Sequence, residues 1–183
     1  MKVTKSILQG AMVFEPKVFG DDRGFFMETW NYNRYKEAGL DVKFVQSNLS
    51  KSSKGVLRGL HFQEPNPQGK LVQILTGEVF DVAVDIRKGS PTFGQWHAEI
   101  LTGDNHKQFY IPEGFAHGFC VLSDIAIFSY MCTNFYDATT ENSLLWNDLQ
   151  IAIDWPIDNP LLSDKDKNGL ELKAFNPNKL PVF

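Results

Sequence analysis

The 183-residue sequence predicts an all-β fold, an antiparallel sandwich or barrel, from three observations. Short apolar segments bounded by turn residues follow one another from position 70 to position 136, with no helical pattern between them. In EVFDVAVDIR (78–87), apolar side chains fill the even positions from 80 to 86, as in a strand that turns one face to the core. The composition, 43% hydrophobic with 15 phenylalanines, supports a packed interior. Strands at this spacing are typical of sandwiches and barrels.

Each element has its own local pattern. NYNRYKEAGL (31–40) is long enough for about two helical turns, and Gly39 stands where a helix end favours glycine. The predicted strands are KLVQIL (70–75), EVFDVAVDIR (78–87), QWHAEIL (95–101), QFYIP (108–112), HGFCVLS (117–123) and IAIFSYMCTNFY (125–136). Asp81 and Asp85 lie on the odd face of their strand, which is either exposed to solvent or part of a polar interior. A chain of this length forms one domain, which we expect to span 1–183.

Composition excludes several classes of protein. The net charge of −4 does not support a general nucleic-acid binder, which needs a basic face. No apolar run approaches the roughly 20 residues of a membrane helix, and the N-terminus lacks the apolar core and cleavage site of a signal peptide. Cys120 and Cys132 both lie in apolar strand-like segments, so we expect buried free thiols in a cytoplasmic protein.

GVLRGLHFQEPNPQGK (55–70) places Arg58, His61 and Lys70 among residues that favour burial. These side chains either point to solvent from alternate strand positions or line a cavity. In a cavity His61 could act as a general base, because much of a histidine population is neutral at pH 7. Arg58 and Lys70 would then stabilise an oxyanion or a phosphate. Base and cation together suit the removal of a proton next to a carbonyl, and the imidazole would need a carboxylate partner.

IPEGFAHGF (111–119) contains Pro112-x-Gly114-x-x-His117, which resembles the second half of the cupin signature. In metal-binding cupins the first half supplies two histidines one residue apart. The corresponding segment GLHFQ (59–63) has only His61, so the ligand set is incomplete and we expect no metal.

An ordered set of segments closely resembles the dTDP-4-dehydrorhamnose 3,5-epimerase family from about residue 4 to residue 180. The segments are DDRGFFMETW (21–30), QSN (46–48), GVLRGLHFQ (55–63), 68–96, IPEGFAHGF (111–119) and LLSDKD (161–166). The resemblance implies a metal-independent cupin-type jelly roll, a double-stranded β-helix with a few short helices, that forms homodimers and needs no cofactor. It also implies a dTDP-sugar substrate: epimerisation at C3 and C5 of dTDP-4-dehydro-6-deoxy-D-glucose, in dTDP-L-rhamnose biosynthesis.

The same resemblance implies roles for individual residues. Its catalytic positions are the base His61, the paired carboxylate Asp166, the proton donor Tyr130, Lys70 beside the sugar ketone, and His117 with the carboxylate Asp81. Its positions for binding the nucleotide sugar are Arg23, Phe26, Glu28, Gln46, Ser47, Asn48, Arg58, Phe119, Glu141 and Lys165, together with Lys70 and His117. Phe26 or Trp30 could stack on thymine. Many relatives have Tyr-Tyr at Phe135-Tyr136, so we expect one hydroxyl fewer near the site.

Three alternatives remain open. A relative that acts only at C3 or C5, or a 3,4-ketoisomerase, would share these motifs. A non-catalytic cupin that binds a nucleotide sugar is disfavoured, because base, carboxylate, cation and tyrosine occur together. A metal-dependent oxygenase is disfavoured by the incomplete ligand set. For the expected homodimer, the apolar segment around Met12, Val13 and Phe14 is a candidate for strand exchange.

Overall fold

The structure, a computed structural model, describes all of residues 1–183 and consists mainly of antiparallel strands. The strands are β1 Lys2–Lys5, β2 Met12–Glu15, β3 Val18–Asp21, β4 Gly24–Met27, β5 Gln46–Ser53, β6 Leu57–Gln63, β7 Lys70–Thr76, β8 Glu78–Asp85, β9 Trp96–Thr102, β10 Gln108–Ile111, β11 Phe115–Val121, β12 Ile125–Cys132 and β13 Glu141–Ser143. The helices are α1 Tyr32–Glu37 and α2 Asp164–Lys167, with 3-10 turns at Leu172–Ala174 and Pro177–Lys179.

Two sheets form a cupin-type jelly roll, as the family resemblance implies. One sheet has six strands in the order β1-β2-β10-β7-β12-β5, and the other has five in the order β13-β6-β11-β8-β9. Strands β3 and β4 form a separate hairpin. Strands far apart in sequence pair with each other, for example β5 with β12, which is the crossover pattern of a jelly roll. The six predicted strands correspond to β7–β12.

The main core lies between the two sheets. Val72, Phe109 and Phe128 of the six-stranded sheet and Val79 and Ala83 of the five-stranded sheet belong to one buried cluster. Each large apolar side chain buried in this way contributes roughly 1.5–3 kcal/mol to stability. The interior is therefore apolar over most of its length.

A second core covers the outer face of the five-stranded sheet. Val82 and Val84 of β8 pack against Ile151, Leu172 and Phe175 from the C-terminal segment. Strand β8 is therefore buried on both faces. Asp81 and Asp85 of this strand therefore face the protein interior and not solvent.

Asp81 and Asp85 are both fully buried, but they have different surroundings. Asp85 accepts hydrogen bonds from Arg87 Nη2 at 2.7 Å and from the hydroxyls of Ser90 and Thr92 at 2.6 Å each. Burial favours the neutral carboxyl, but these donors outweigh it and hold the pKa of Asp85 below its usual range. Asp85 therefore stabilises the turn after β8, and only Asp81 remains for the interior site.

The predicted helix is present and is capped at both ends. The Asn31 side chain accepts a hydrogen bond from the N–H of Arg34, and Gly39 follows the C-cap with a φ of +102°. Tyr35 packs on Phe14 with ring centroids 5.1 Å apart, so the helix covers the outer face of the six-stranded sheet. None of the helices has the length and apolar character needed to cross a bilayer.

The segment suggested for strand exchange is internal to its own sheet. Met12, Val13 and Phe14 are buried in β2, which pairs with both β1 and β10 of the same chain. Exposed apolar rings lie on the β3–β4 hairpin instead. Cys120 and Cys132 are free and buried, as the sequence predicts.

We expect Gly59→Ala to destabilise the fold more than Gly89→Ala. Both glycines have positive φ, which strains alanine by roughly 1–3 kcal/mol. A Cβ at Gly59 would also come within 2.5 Å of the Gly118 Cα on β11, whereas a Cβ at Gly89 meets nothing within 4 Å. Urea denaturation of the two variants measures the difference in unfolding free energy. Equal losses would show that the close approach of β6 and β11 does not add to the cost of the Gly59 substitution.

Candidate active site

A polar cup lies between the two sheets. Its two adjoining depressions share four residues, His61, Lys70, His117 and Tyr130. The rest of the lining includes Ser50, Arg58, Gln63, Gln68, Phe119, Phe128, Tyr136 and Glu141. His61 and Lys70 of segment 55–70 therefore line a cavity, while Leu57 and Leu60 of the same segment are fully buried.

A β-bulge places Arg58 on the same side of β6 as His61. Strict alternation along a strand would put these two residues on opposite faces. In the pairing of β6 with β11, His61 lies opposite His117 and Arg58 lies opposite Phe119. Between these two pairs, one residue of β11 therefore opposes two of β6, and the extra residue rotates Arg58 toward the cup.

His61 is held by Asp166. Its Nε2 lies 2.6 Å from Asp166 Oδ1, so Nδ1 is the ring nitrogen left without a partner from the chain. Asp166 is buried on α2, where the Ser163 hydroxyl donates to its Oδ2 at 2.7 Å. Burial opposes ionisation of Asp166, but the hydrogen bonds from His61 and Ser163 outweigh it and lower its pKa. A carboxylate in this position fixes the orientation of the ring and stabilises an imidazolium.

His117 and Asp81 form a second, deeper pair. His117 Nε2 lies 3.0 Å from both carboxylate oxygens of Asp81. Both residues are buried, on the neighbouring strands β11 and β8. Because His117 is also the cross-strand partner of His61, the two imidazole–carboxylate pairs lie side by side in the five-stranded sheet.

Tyr130 and Lys70 face these pairs from the six-stranded sheet. Burial raises the pKa of the Tyr130 phenol, and the nearby Cys132 thiol raises it further, so the phenol is protonated at neutral pH. Burial lowers the pKa of Lys70, whose Nζ has no hydrogen-bond acceptor or ion-pair partner within the chain. The cup therefore holds a protonated phenol and an unpaired amine opposite the histidines.

The rim is formed by Glu141, Lys165 and Tyr136. Lys165 Nζ lies 2.5 Å from Glu141 Oε2, and the Tyr136 hydroxyl donates to the same oxygen at 2.8 Å. Tyr136 was not among the predicted site residues. Phe135, the position at which we expected one hydroxyl fewer, is 65% exposed and does not line the cup. A tyrosine hydroxyl at this position would therefore lie outside the cup.

Strand β5 divides its predicted binding residues between two faces. Gln46 and Asn48 turn inward: Gln46 Oε1 accepts from the Tyr136 N–H at 2.9 Å, and Asn48 Nδ2 lies 3.7 Å from Cys132 Sγ. Ser47 is exposed on the opposite face. Ser50, which the prediction omitted, lines the cup from the same strand. The two-residue alternation of a strand would have predicted that Ser50 shares a face with Gln46 and Asn48, and that Ser47 does not.

Three predicted binding residues, Arg23, Phe26 and Glu28, do not reach the cup of their own chain. Arg23 pairs with Asp21 on the β3–β4 hairpin, where the Phe26 ring is 69% exposed. Glu28 pairs with Arg34 of α1 at 3.0 Å. We call 18–27 the arm.

Trp30, suggested as a residue that stacks on thymine, is placed elsewhere by the structure. Trp30 packs against Tyr35 and Phe44 at 4.5 and 4.6 Å, so its ring belongs to the core under α1 and not to a base-stacking surface. Nowhere in the chain do three or more His, Cys, Asp or Glu side chains cluster as a metal site would require.

Comparisons with known proteins agree with this geometry. The family model described as dTDP-4-dehydrorhamnose 3,5-epimerase matches residues 5–174. The enzyme of that name from Shigella flexneri is 61% identical over 92% of this chain and 94% of its own, and that from Pseudomonas aeruginosa is 55% identical over 96% of each. The crystal structure of the Legionella pneumophila 3,5-epimerase with dTDP-4-keto-L-rhamnose superposes with a TM-score of 0.97 at 50% identity, covering 100% of this chain and 98% of the other. This chain therefore belongs to the dTDP-4-dehydrorhamnose 3,5-epimerase family.

Proposed function

We propose that this protein is an isomerase that epimerises C3 and C5 of dTDP-4-dehydro-6-deoxy-D-glucose, giving dTDP-4-dehydro-L-rhamnose for dTDP-L-rhamnose biosynthesis. One observation carries the proposal: the two sheets hold a carboxylate-bound imidazole and a protonated phenol on opposite sides of one cup. The family and its named relatives supply the identity of the substrate. The residue roles below are part of the proposal.

His61 is the base. The C4 ketone acidifies the hydrogens on both C3 and C5, so one base can remove each in turn from the same face of the ring. The nitrogen that does this is Nδ1, since Nε2 is occupied by Asp166. When Nδ1 gains the proton, Asp166 stabilises the resulting imidazolium without taking the proton itself.

Lys70 stabilises the charge that develops on O4. Its Nζ has no acceptor in the chain, so its donors are free for the oxygen of the substrate. A lowered pKa makes an ammonium a stronger hydrogen-bond donor. Loss of one such donor in an enzyme site costs about 2.7–4 kcal/mol of transition-state stabilisation. His117, fixed by Asp81, lies beside Lys70 in the lining and contacts the sugar from the other sheet.

Tyr130 returns the proton on the opposite face. A proton removed by His61 from one face and replaced by Tyr130 on the other inverts the carbon. The sheets bring the two groups to opposite walls, since His61 is on β6 and Tyr130 on β12. The raised pKa of Tyr130 keeps the phenol protonated before the reaction.

The nucleotide end is held at the open side of the cup. Arg58 has no ion-pair partner within the chain and is suited to a diphosphate. The Glu141–Lys165 pair and the inward amides of Gln46 and Asn48 offer further donors and acceptors. Binding energy from this end positions the sugar between base and acid.

A homodimer explains why the arm lies outside the cup. Arg23 and Phe26 match nucleotide-binding positions, yet they stand on an exposed hairpin away from His61. The arm also exposes Phe19 and Phe25, which a second subunit would cover. We infer that each arm closes the cup of the other protomer, so the partner subunit's Arg23 contacts the nucleotide.

Product analysis tests the reaction and its regiochemistry together. With the substrate and a 4-keto reductase, NMR of the product should show inversion at both C3 and C5. The His61→Ala variant should lose at least about 10³-fold in kcat, because it lacks the base, while it still binds dTDP. Inversion at one carbon only would assign a single-position epimerase, and near-normal turnover by His61→Ala would refute the base.

Tyr130→Phe separates proton removal from inversion. Without the phenol, His61 can still remove and return protons on its own face, so deuterium from solvent should enter C3 and C5 faster than inverted product forms. NMR of the sugar in D₂O measures both rates. Lys51→Met, an exposed change on the outer side of β5, is the matched control. Unchanged product yield from Tyr130→Phe would contradict the donor role.

A mixing experiment tests the exchanged arm. Arg23→Glu and His61→Ala should each be inactive alone, and co-refolding them should restore about a quarter of wild-type activity. In that mixture half of the molecules are heterodimers, and one of their two sites combines an intact cup with an intact arm. If the arm served its own cup, every site would keep one defect and no activity would return.

A further inference from the structure

Ser163 makes two different contacts with Asp166. Its hydroxyl donates a hydrogen bond to Asp166 Oδ2 at 2.7 Å. The Ser163 Oγ also accepts a hydrogen bond from the backbone N–H of Asp166 at 3.2 Å. The second contact is an N-cap, with Ser163 in an extended conformation before α2. The first is not needed for capping, because a cap requires only an acceptor.

The carboxylate of Asp166 has few other ways to be held. It is 3% exposed, and its Oδ1 is committed to His61. The neighbouring lysines do not contact it, since Lys165 pairs with Glu141 and Lys167 with Asp164. Apart from His61 and Ser163, the donor that acts on it is the backbone N–H of Gly59. A buried carboxylate oxygen without a donor is costly, so loss of the hydroxyl would favour rotation of the group.

We propose that Ser163 is a positioning residue for the epimerisation. Its donated hydrogen bond fixes the rotation of the Asp166 carboxylate, which keeps Oδ1 on His61 Nε2 and leaves Nδ1 facing the substrate. This inference rests on the proposed function, in which His61 is the base. Ser163 lines an adjoining depression beside His61, Arg58 and Lys165, away from Lys70 and Tyr130. Its hydroxyl hydrogen is donated to Asp166, so we place its effect on the reaction in that contact.

Substitutions at position 163 separate the two contacts. Threonine keeps both the acceptor and the donor. Glycine is nearly as good an N-cap as serine but has no donor. Asn176 provides a matched control, because its side chain caps the last 3-10 turn by accepting from the N–H of Asn178, away from the cup.

Removing the donor should change the pH profile in a definite direction. A carboxylate that loses a donor binds a proton more readily, so the His61–Asp166 pair becomes protonated at higher pH. The acidic limb of kcat should therefore move to higher pH. The charged and titratable groups that surround the pair are Arg58 on β6, Lys70 on β7, His117 on β11, Tyr130 on β12, Tyr136 after β12, Glu141 on β13 and Lys165 on α2. All of these are unchanged in the variants.

The experiment compares steady-state kinetics of the full-length variants in the coupled assay. Ser163→Gly should lower kcat about tenfold with KM within about twofold of wild type, and should shift the acidic limb upward. Ser163→Thr should restore wild-type values, and Asn176→Gly should leave kcat and the pH profile unchanged.

Two results would overturn the inference. Wild-type kcat and pH profile in Ser163→Gly would show that the hydroxyl only caps α2. A defect in Ser163→Gly that Ser163→Thr fails to rescue would show that the donor is not responsible. Both results differ from failure of the proposed function, which would appear as absence of inversion in the wild type or full activity of His61→Ala.

Discussion

The requirement that buried charges find partners organises this structure. Each buried carboxylate of the five-stranded sheet and α2 is satisfied within the chain: Asp166 by His61 and Ser163, Asp81 by His117, and Asp85 by Arg87. Leaving any of them unpaired in a dry interior would cost several kcal/mol. The cations Arg58, which is exposed, and Lys70, which is half-buried, have no acceptor within the chain. A ligand that brings a diphosphate and a developing oxyanion supplies those acceptors, which matches the proposed substrate.

The two sheets contribute differently to the site because they are covered differently. Strand β8 and its neighbours have packed cores on both faces, so Asp81 and the His117 that it holds are immobile. Strand β5 is the edge of the six-stranded sheet and carries polar side chains in alternation. An edge strand with solvent-exposed hydrogen bonds is more easily deformed. The cup therefore has rigid imidazole–carboxylate pairs on one wall and a more deformable edge strand on the other.

Sequence reasoning predicted local structure well and long-range geometry poorly. Short apolar segments bounded by turn residues identified β7–β12, with alternation in β8, and the Gly39 pattern identified α1, because all of these signals depend on neighbouring residues. The pairing of His61 with Asp166 joins residues 105 positions apart, so only the family resemblance could suggest it. Asp81 and Asp85 look alike in sequence, and their roles differ only because Arg87 and two hydroxyls surround one of them.

Three other features have no local signal in the sequence, for physical reasons. Alternation places Arg58 opposite His61, and only the bulge in the pairing with β11 reverses this. Tyr136 follows a strand end, where side-chain direction depends on the Glu141 that it meets across the rim. The separation of the arm from the cup depends on the path of the chain in three dimensions, and no local pattern in DDRGFFMETW encodes that path.

The same dry environment gives each member of the site a different protonation behaviour. Burial alone raises the pKa of an acid and lowers that of an amine, which is what occurs at Tyr130 and Lys70. In the proposed mechanism, Tyr130 therefore keeps the proton that it delivers, and Lys70 becomes a more acidic donor for O4. Asp166 is equally shielded, yet its donors reverse the effect and keep it ionised beside His61. In the proposed mechanism, hydrogen bonds to one carboxylate thus distinguish the base side of the cup from the acid side.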